Sequence, residues 1–183
     1  MLMTLTDKPS TTFDEYGSWE RKTGAAKVMQ LVGEITPADE ATQSEYSEDE
    51  EKLVRDNVAT NIVSVVAAHP DTQFYLYFSP SSIAQWCIWN NEGEILCRVG
   101  AQQTAIETLI PYDNVHLYSF FEKEDLICDL DYYSDTIHYT PQINSEILRL
   151  MKNEEYLITK DNYQDHIYTI TDFFTNYDYT TLK

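Results

Sequence analysis

Two short apolar segments with helix-forming sequence between them constrain the fold of this chain most. Residues 73–78 are Gln-Phe-Tyr-Leu-Tyr-Phe, and residues 115–120 are Val-His-Leu-Tyr-Ser-Phe. Neither segment alternates cleanly between apolar and polar positions, which is typical of strands buried on both faces in a parallel sheet. Parallel strands need a crossover connection, usually a helix. We therefore predict an α/β fold in which these two strands belong to a parallel sheet.

The remaining sequence predicts helices around that sheet. Ser47 and Glu50 form a capping box that opens a helix reaching about Ala68. Further helices are predicted over 83–90, 95–109, 141–151 and from 161 onwards. Two strands alone make a thin sheet, and strands with two apolar faces need neighbours. We therefore expect a sheet that is incomplete on its N-terminal side, as in the C-terminal part of a larger domain.

The chain divides into two regions of different character. Residues 1–47 are predicted to be irregular apart from a helix over 19–32, and residues 48–183 to form the α/β domain. A total of 183 residues is enough for one domain with a sizeable core.

Charge excludes two classes of partner. The sequence has 12 basic and 31 acidic residues, for a net charge of −19. Nucleic acid and anionic membranes both attract basic surfaces, so neither is an expected partner. Two interpretations of the acidic surface stay open, namely a solubilising surface and a docking face for a basic partner.

Hydropathy limits where the chain resides. No apolar run approaches the ~20 residues of a membrane span, and the first residues are too short an apolar stretch for a signal peptide. These features predict neither an export signal nor an anchor, and on their own they indicate a cytoplasmic protein.

Cysteines and acidic loops give little sign of a metal. The three cysteines, Cys87, Cys97 and Cys128, are odd in number and have no Cys-x-x-Cys spacing, which argues against a disulfide framework or a zinc site. The loop at 125–131 holds three aspartates that suit calcium, but EF-hand spacing and its glycine are missing. We predict no metal and no other cofactor.

An Asp three residues before a His occurs twice, in Asp113/His116 and Asp135/His138. This spacing arises easily by chance, so position has to separate the two pairs. The first pair begins the second strand, away from the carboxyl ends where the chemistry of α/β sheets lies, and His116 is interpreted as structural. The second pair follows that strand. At the carboxyl ends of the strands, an Asp–His pair is typical of a nucleophilic triad, in which the His moves the proton and the Asp orients the imidazole.

Four segments carry a resemblance to a known family. They are residues 69–82 with Trp86 following, 112–115, 129–139, and the tyrosine-containing pairs 162–163 and 178–179 that bracket the last helix. Together they resemble the SGNH/GDSL hydrolase superfamily, in particular its uncharacterised bacterial envelope branch. The resemblance covers roughly residues 50–180, and the Asp-x-x-His block is its most specific part.

This resemblance implies a three-layer α/β/α, flavodoxin-like fold and a Ser-His-Asp ester hydrolase or O-acyltransferase. The substrate would bear an ester, for example on an envelope glycan, and the location would be extracytoplasmic. His138 would be the general base and Asp135 its orienting carboxylate. Ser79, Ser81 and Trp86 would shape the substrate pocket; the alternatives are helix capping for the serines and core packing for Trp86.

The nucleophile is where the chain departs from the family. The family's serine follows the first strand in a Gly-Asp-Ser-like turn, and a Gly and an Asn from later loops complete the oxyanion hole. Here Gly17-Ser18 is the nearest match, and it follows a poor strand. Each missing oxyanion donor costs ~10²–10³ in turnover. Two hypotheses follow: a fragment whose serine lies upstream, or a non-catalytic SGNH-like binding or structural module.

Overall fold

The computed structural model describes residues 22–39 and 42–182. Its helices are α1 (Ala25–Met29), α2 (Glu48–Val58), α3 (Ser64–Ala68), α4 (Ile83–Glu92), α5 (Ile95–Leu109), α6 (Glu124–Ile127), α7 (Pro141–Lys152) and α8 (Tyr163–Asn176). The strands are β1 (Phe74–Phe78), β2 (Val115–Ser119) and β3 (Leu157–Ile158). α1 lies within the helix predicted over 19–32, of which residues 22–32 are described. Gly17-Ser18 lies outside the described residues.

The three strands form one sheet in the order β1-β2-β3. β1 and β2 are parallel, with Phe74 opposite Val115 and Phe78 opposite Ser119. The α/β class and this parallel pairing are therefore confirmed. β3 is antiparallel to β2, so the prediction of a purely parallel sheet was wrong. The chain leaves the end of α7 and enters β3 through a turn in which Glu154 and Tyr156 have φ values of 57° and 63°.

Neighbouring residues of β2 point to opposite faces of the sheet and meet different cores. Leu117 packs in a cluster with Leu109 of α5 and Val58 of α2. Tyr118 belongs to a larger cluster with residues of α7, and its hydroxyl donates to the carbonyl of Met151 at 3.1 Å. Helices thus pack against both faces of the central strand.

The predicted helix over 48–68 is confirmed and contains one irregular turn. Ser47 Oγ accepts the Glu50 backbone N–H at 3.3 Å, and Glu50 Oε2 accepts the Ser47 N–H at 2.9 Å, so the capping box is complete. Residues Ala59–Val63 form a π-helical turn between α2 and α3. The helix ends at His69, as the sequence predicted. No helix in the described residues has the length and apolarity needed to cross a membrane.

Candidate functional site

The loop that follows α6 closes on itself around the second Asp–His pair. Tyr133 and Tyr139 form an antiparallel bridge at its base. Between them, Ser134 donates two hydrogen bonds to the carbonyl of His138, from its backbone N–H at 2.8 Å and from its hydroxyl at 3.2 Å. These bonds fix the path of the backbone that carries Asp135 and His138.

Asp135 and His138 are in direct contact. Asp135 Oδ2 lies 2.7 Å from His138 Nδ1, and Oδ1 accepts the backbone N–H groups of Ile137 at 2.9 Å and His138 at 2.7 Å. Partial burial raises the pKa of Asp135, but these hydrogen bonds and the imidazole outweigh it and hold the pKa below its ordinary value. Because Nδ1 faces the carboxylate, Nε2 is the nitrogen that is left to exchange a proton with a substrate. The His138 side chain is 55% exposed.

The pair lies at the carboxyl end of β1. Ser82, the N-cap residue of α4, donates both its backbone N–H and its hydroxyl to the carbonyl of Thr136, at 3.0 and 2.8 Å. Ser79, directly after β1, lies 3.3 Å from the Tyr139 hydroxyl through its Oγ. The sheet therefore positions Asp135 and His138 at the rim where the sequence predicted them.

The three predicted pocket residues have different surroundings. Ser79 is exposed and reaches the loop through Tyr139, and burial raises the pKa of that tyrosine to about 12. Ser81 is half-buried. Trp86 lies in the core, 1% exposed, with its ring stacked on Phe174 at 3.5 Å between centroids. The structure thus brings Ser79 to the loop and packs Trp86 inside the domain; a substrate-binding role for all three stays a prediction.

The other residues considered from sequence have structural contacts. His116 stacks on Tyr75 at 4.5 Å between ring centroids, and its Nε2 lies 2.8 Å from Gln73 Oε1. Asp131 Oδ1 accepts the backbone N–H of Ala25 at 2.9 Å and so ties α1 to the loop. Within the described part of the chain, no three His, Cys, Asp or Glu residues are grouped as a metal site requires.

Sequence reasoning missed a second polar cluster, at the carboxyl end of β2. His166 of α8 is 4% exposed, with Glu122 Oε1 in contact with its Nδ1 and Gln102 Nε2 2.9 Å from its Nε2. The same Gln102 nitrogen donates to Ser119 Oγ at 2.9 Å. Ser119, Glu122 and His166 lie on the wall of a cavity of about 400 Å³. One signal for it was present, because His166 falls on the apolar stripe that continues with Ile170 and Phe174.

No family profile, curated protein or solved structure matches the chain.

Proposed function

We propose that this chain carries the general-base half of an SGNH/GDSL-type ester hydrolase or O-acyltransferase. His138 is the base, and Asp135 is the positioning residue that fixes its tautomer. The three-layer α/β/α fold of that superfamily belongs to the proposal and is supported by the helices that pack on both faces of β2. The ester-bearing substrate, for example an envelope glycan, and an extracytoplasmic location also belong to it.

One observation carries this proposal: the 2.7 Å contact between Asp135 Oδ2 and His138 Nδ1 at the carboxyl end of β1. A carboxylate on Nδ1 holds the proton there and leaves the lone pair of Nε2 outward, which is the tautomer a general base needs. When Nε2 takes up a proton, the imidazolium is stabilised by the same carboxylate. The two backbone N–H groups on Oδ1 keep the carboxylate ionised and in place.

The nucleophile is proposed to be a serine on a strand that pairs with the outer edge of β1. The Phe74 N–H points towards β2, where it donates to the Asn114 carbonyl at 2.8 Å. In a parallel pair the polar groups of the intervening residues, Tyr75 and Tyr77, therefore point to the other edge. A parallel strand on that edge would end at the same rim as His138.

A non-catalytic SGNH-like module is the second candidate. Asp135 Oδ1 accepts two backbone N–H groups of its own loop, which is also what a purely structural aspartate does in a turn. On this alternative the pair holds the loop in shape, and the rim binds a partner without turnover.

Hydrolysis of 4-nitrophenyl acetate by the wild-type chain and three variants tests the role of His138. We expect His138→Ala to lower the rate by about 10²-fold or more, and Asp135→Asn to lower it through loss of the imidazole orientation. His116→Ala is the matched control, since it belongs to the other Asp-x-x-His pair, and should leave the rate unchanged. A wild-type rate equal to buffer shows that this chain does not hydrolyse the ester by itself, as both the non-catalytic module and a chain without the nucleophilic serine predict. Equal rates for wild type and His138→Ala would refute the role of His138.

A further inference from the structure

We propose that Ser119, His166 and Glu122 form a second acyl-transfer site, which Gln102 holds in a resting state. The site is independent of Asp135 and His138 and does not rest on their proposed function. Ser119 is the last residue of β2 and Glu122 follows it, whereas His166 lies on α8 and Gln102 on α5. These side chains meet at the carboxyl end of the central strand.

The hydrogen bonds of Gln102 define the tautomer of His166. The Gln102 side-chain nitrogen is a donor, so the Nε2 atom that lies 2.9 Å from it accepts. The proton of the neutral ring is then on Nδ1, where it is donated to the Glu122 carboxylate. A lone pair on Nε2 with a carboxylate on Nδ1 is the arrangement that a general base requires.

Ser119 shares a hydrogen-bond partner with that base. Its Oγ and His166 Nε2 each lie 2.9 Å from the same amide nitrogen of Gln102, so the two atoms are at most two hydrogen-bond lengths apart. The amide is bonded to both and keeps them from bonding to each other. On this proposal, Gln102 moves aside when a substrate binds, and the serine hydroxyl then closes the gap and donates directly to Nε2. Hydrogen bonds between catalytic groups are often not yet formed in a free enzyme.

The adjoining cavity gives a substrate room to reach Ser119. It has a volume of about 400 Å³, and Ser119, Glu122 and His166 lie on its wall, with Glu154 and Asp165 nearby. A small ester fits this space, whereas a polymer does not. The carboxylates repel an acid, so the structure favours a small ester that is neutral or positively charged.

The acyl transfer balances with the groups present. Ser119 Oγ attacks the ester carbonyl carbon while its proton moves to His166 Nε2, and Glu122 stabilises the imidazolium. The carbon–oxygen bond to the alcohol then breaks, and the leaving oxygen takes the proton from Nε2. Water repeats the sequence on the acyl-serine and releases the acid.

Labelling with diisopropyl fluorophosphate, a small neutral probe, tests the site. The serine oxygen displaces fluoride, and mass spectrometry of the intact chain and its peptides locates the adduct. We expect one adduct on Ser119 that is lost in Ser119→Ala and forms at least tenfold more slowly in His166→Gln. Gln102→Ala should label faster than the wild type because the intervening amide is gone. Glu122→Asp keeps the carboxylate and should retain part of the labelling rate, whereas Glu122→Gln should lose it. A merely structural role for Glu122 does not explain this difference.

His138→Ala separates this site from the Asp135/His138 pair at the carboxyl end of β1, because it should leave the labelling of Ser119 unchanged. Circular dichroism confirms that each variant folds; if His166→Gln does not, the comparison of Gln102→Ala with the wild type still decides. An adduct on a different serine with none on Ser119 overturns the proposal, as does the absence of an adduct in both the wild type and Gln102→Ala. A Gln102→Ala rate at or below that of the wild type overturns it too.

Discussion

Ser82 and Thr136 are joined by two hydrogen bonds to one carbonyl oxygen. The Ser82 backbone N–H donates to it at 3.0 Å and the hydroxyl at 2.8 Å. The Ser82 side chain is fully buried. This contact ties the start of α4 to the loop of Asp135 and His138, so the site's position depends on a residue that takes no part in its chemistry.

Replacing Ser82 with alanine removes the hydroxyl bond and keeps the backbone bond. We expect the free energy of unfolding to fall by about 1 kcal/mol, since Thr136 keeps one donor. Urea titration measures the change. Ser81→Ala is the matched control at a half-buried neighbouring position, with an expected change of less than ~0.5 kcal/mol. Equal losses in the two variants would contradict a specific role for the Ser82 hydroxyl.

Asp135 should stabilise the fold in a pH-dependent way. Partial burial raises its pKa, but the hydrogen bonds from Ile137 and His138 outweigh this and leave the pKa below its ordinary value. Its contribution is therefore fully present above the unfolded-state pKa of about 3.9 and is lost as pH falls through the lower folded-state pKa. Urea titrations of the wild type and Asp135→Asn at several pH values should differ most near neutrality and converge in acid. A difference that does not vary with pH would exclude this linkage.

Trp86 should be costly to delete and much less costly to replace with phenylalanine. Its ring stacks on Phe174, so Trp86→Ala is expected to lose ~3–5 kcal/mol. Its buried Nε1 has no hydrogen-bond partner among the described residues, so phenylalanine removes an unsatisfied donor and retains most of the contact. Thermal unfolding compares the two variants, with Trp89→Phe as the half-buried control. If Trp86→Phe is as damaging as Trp86→Ala, the indole N–H has a partner.

The capping box at the start of α2 is open to an independent test. Ser47→Ala should lower the free energy of unfolding by about 1 kcal/mol, because the Glu50 N–H loses its acceptor. Ser64→Ala, an exposed serine inside the same long helix, should be neutral or slightly stabilising since alanine has the higher helix propensity. Denaturant titration of both variants gives the two values. A Ser47→Ala value no larger than that of Ser64→Ala would show that the cap adds nothing.

Strong local patterns made much of the fold predictable. The helix predicted over 95–109 has those bounds in the structure, and β1 and β2 lie within the predicted apolar segments. β3 was missed because a strand of two residues has no periodicity. The turn before it was missed as well, since it uses Glu154 and Tyr156 in the left-handed region in place of glycine.

The two polar clusters differ in how far sequence could reveal them. Asp135 and His138 are close in the chain, so their spacing and their position after β2 identified them, and the structure shows them in contact. Gln102, the neighbouring Ser119 and Glu122, and His166 come from three separate parts of the chain, and Gln102 and His166 are 64 residues apart. Only tertiary folding brings them together. No local sequence motif predicts this cluster.

The π-helical turn at Ala59–Val63 has a consequence for chain length. A π-helical turn contains more residues than an α-helical turn, so it accommodates one inserted residue while the helix on either side stays regular. Val58 and Val66, on either side of it, are both buried. Deletion of the exposed Asn61 would convert the turn to regular helix while both valines stay in the core. Deletion elsewhere in α2 would rotate one end of the helix by about 100° relative to the other. This turn is therefore the point in the helix where one residue can be lost without repacking the domain.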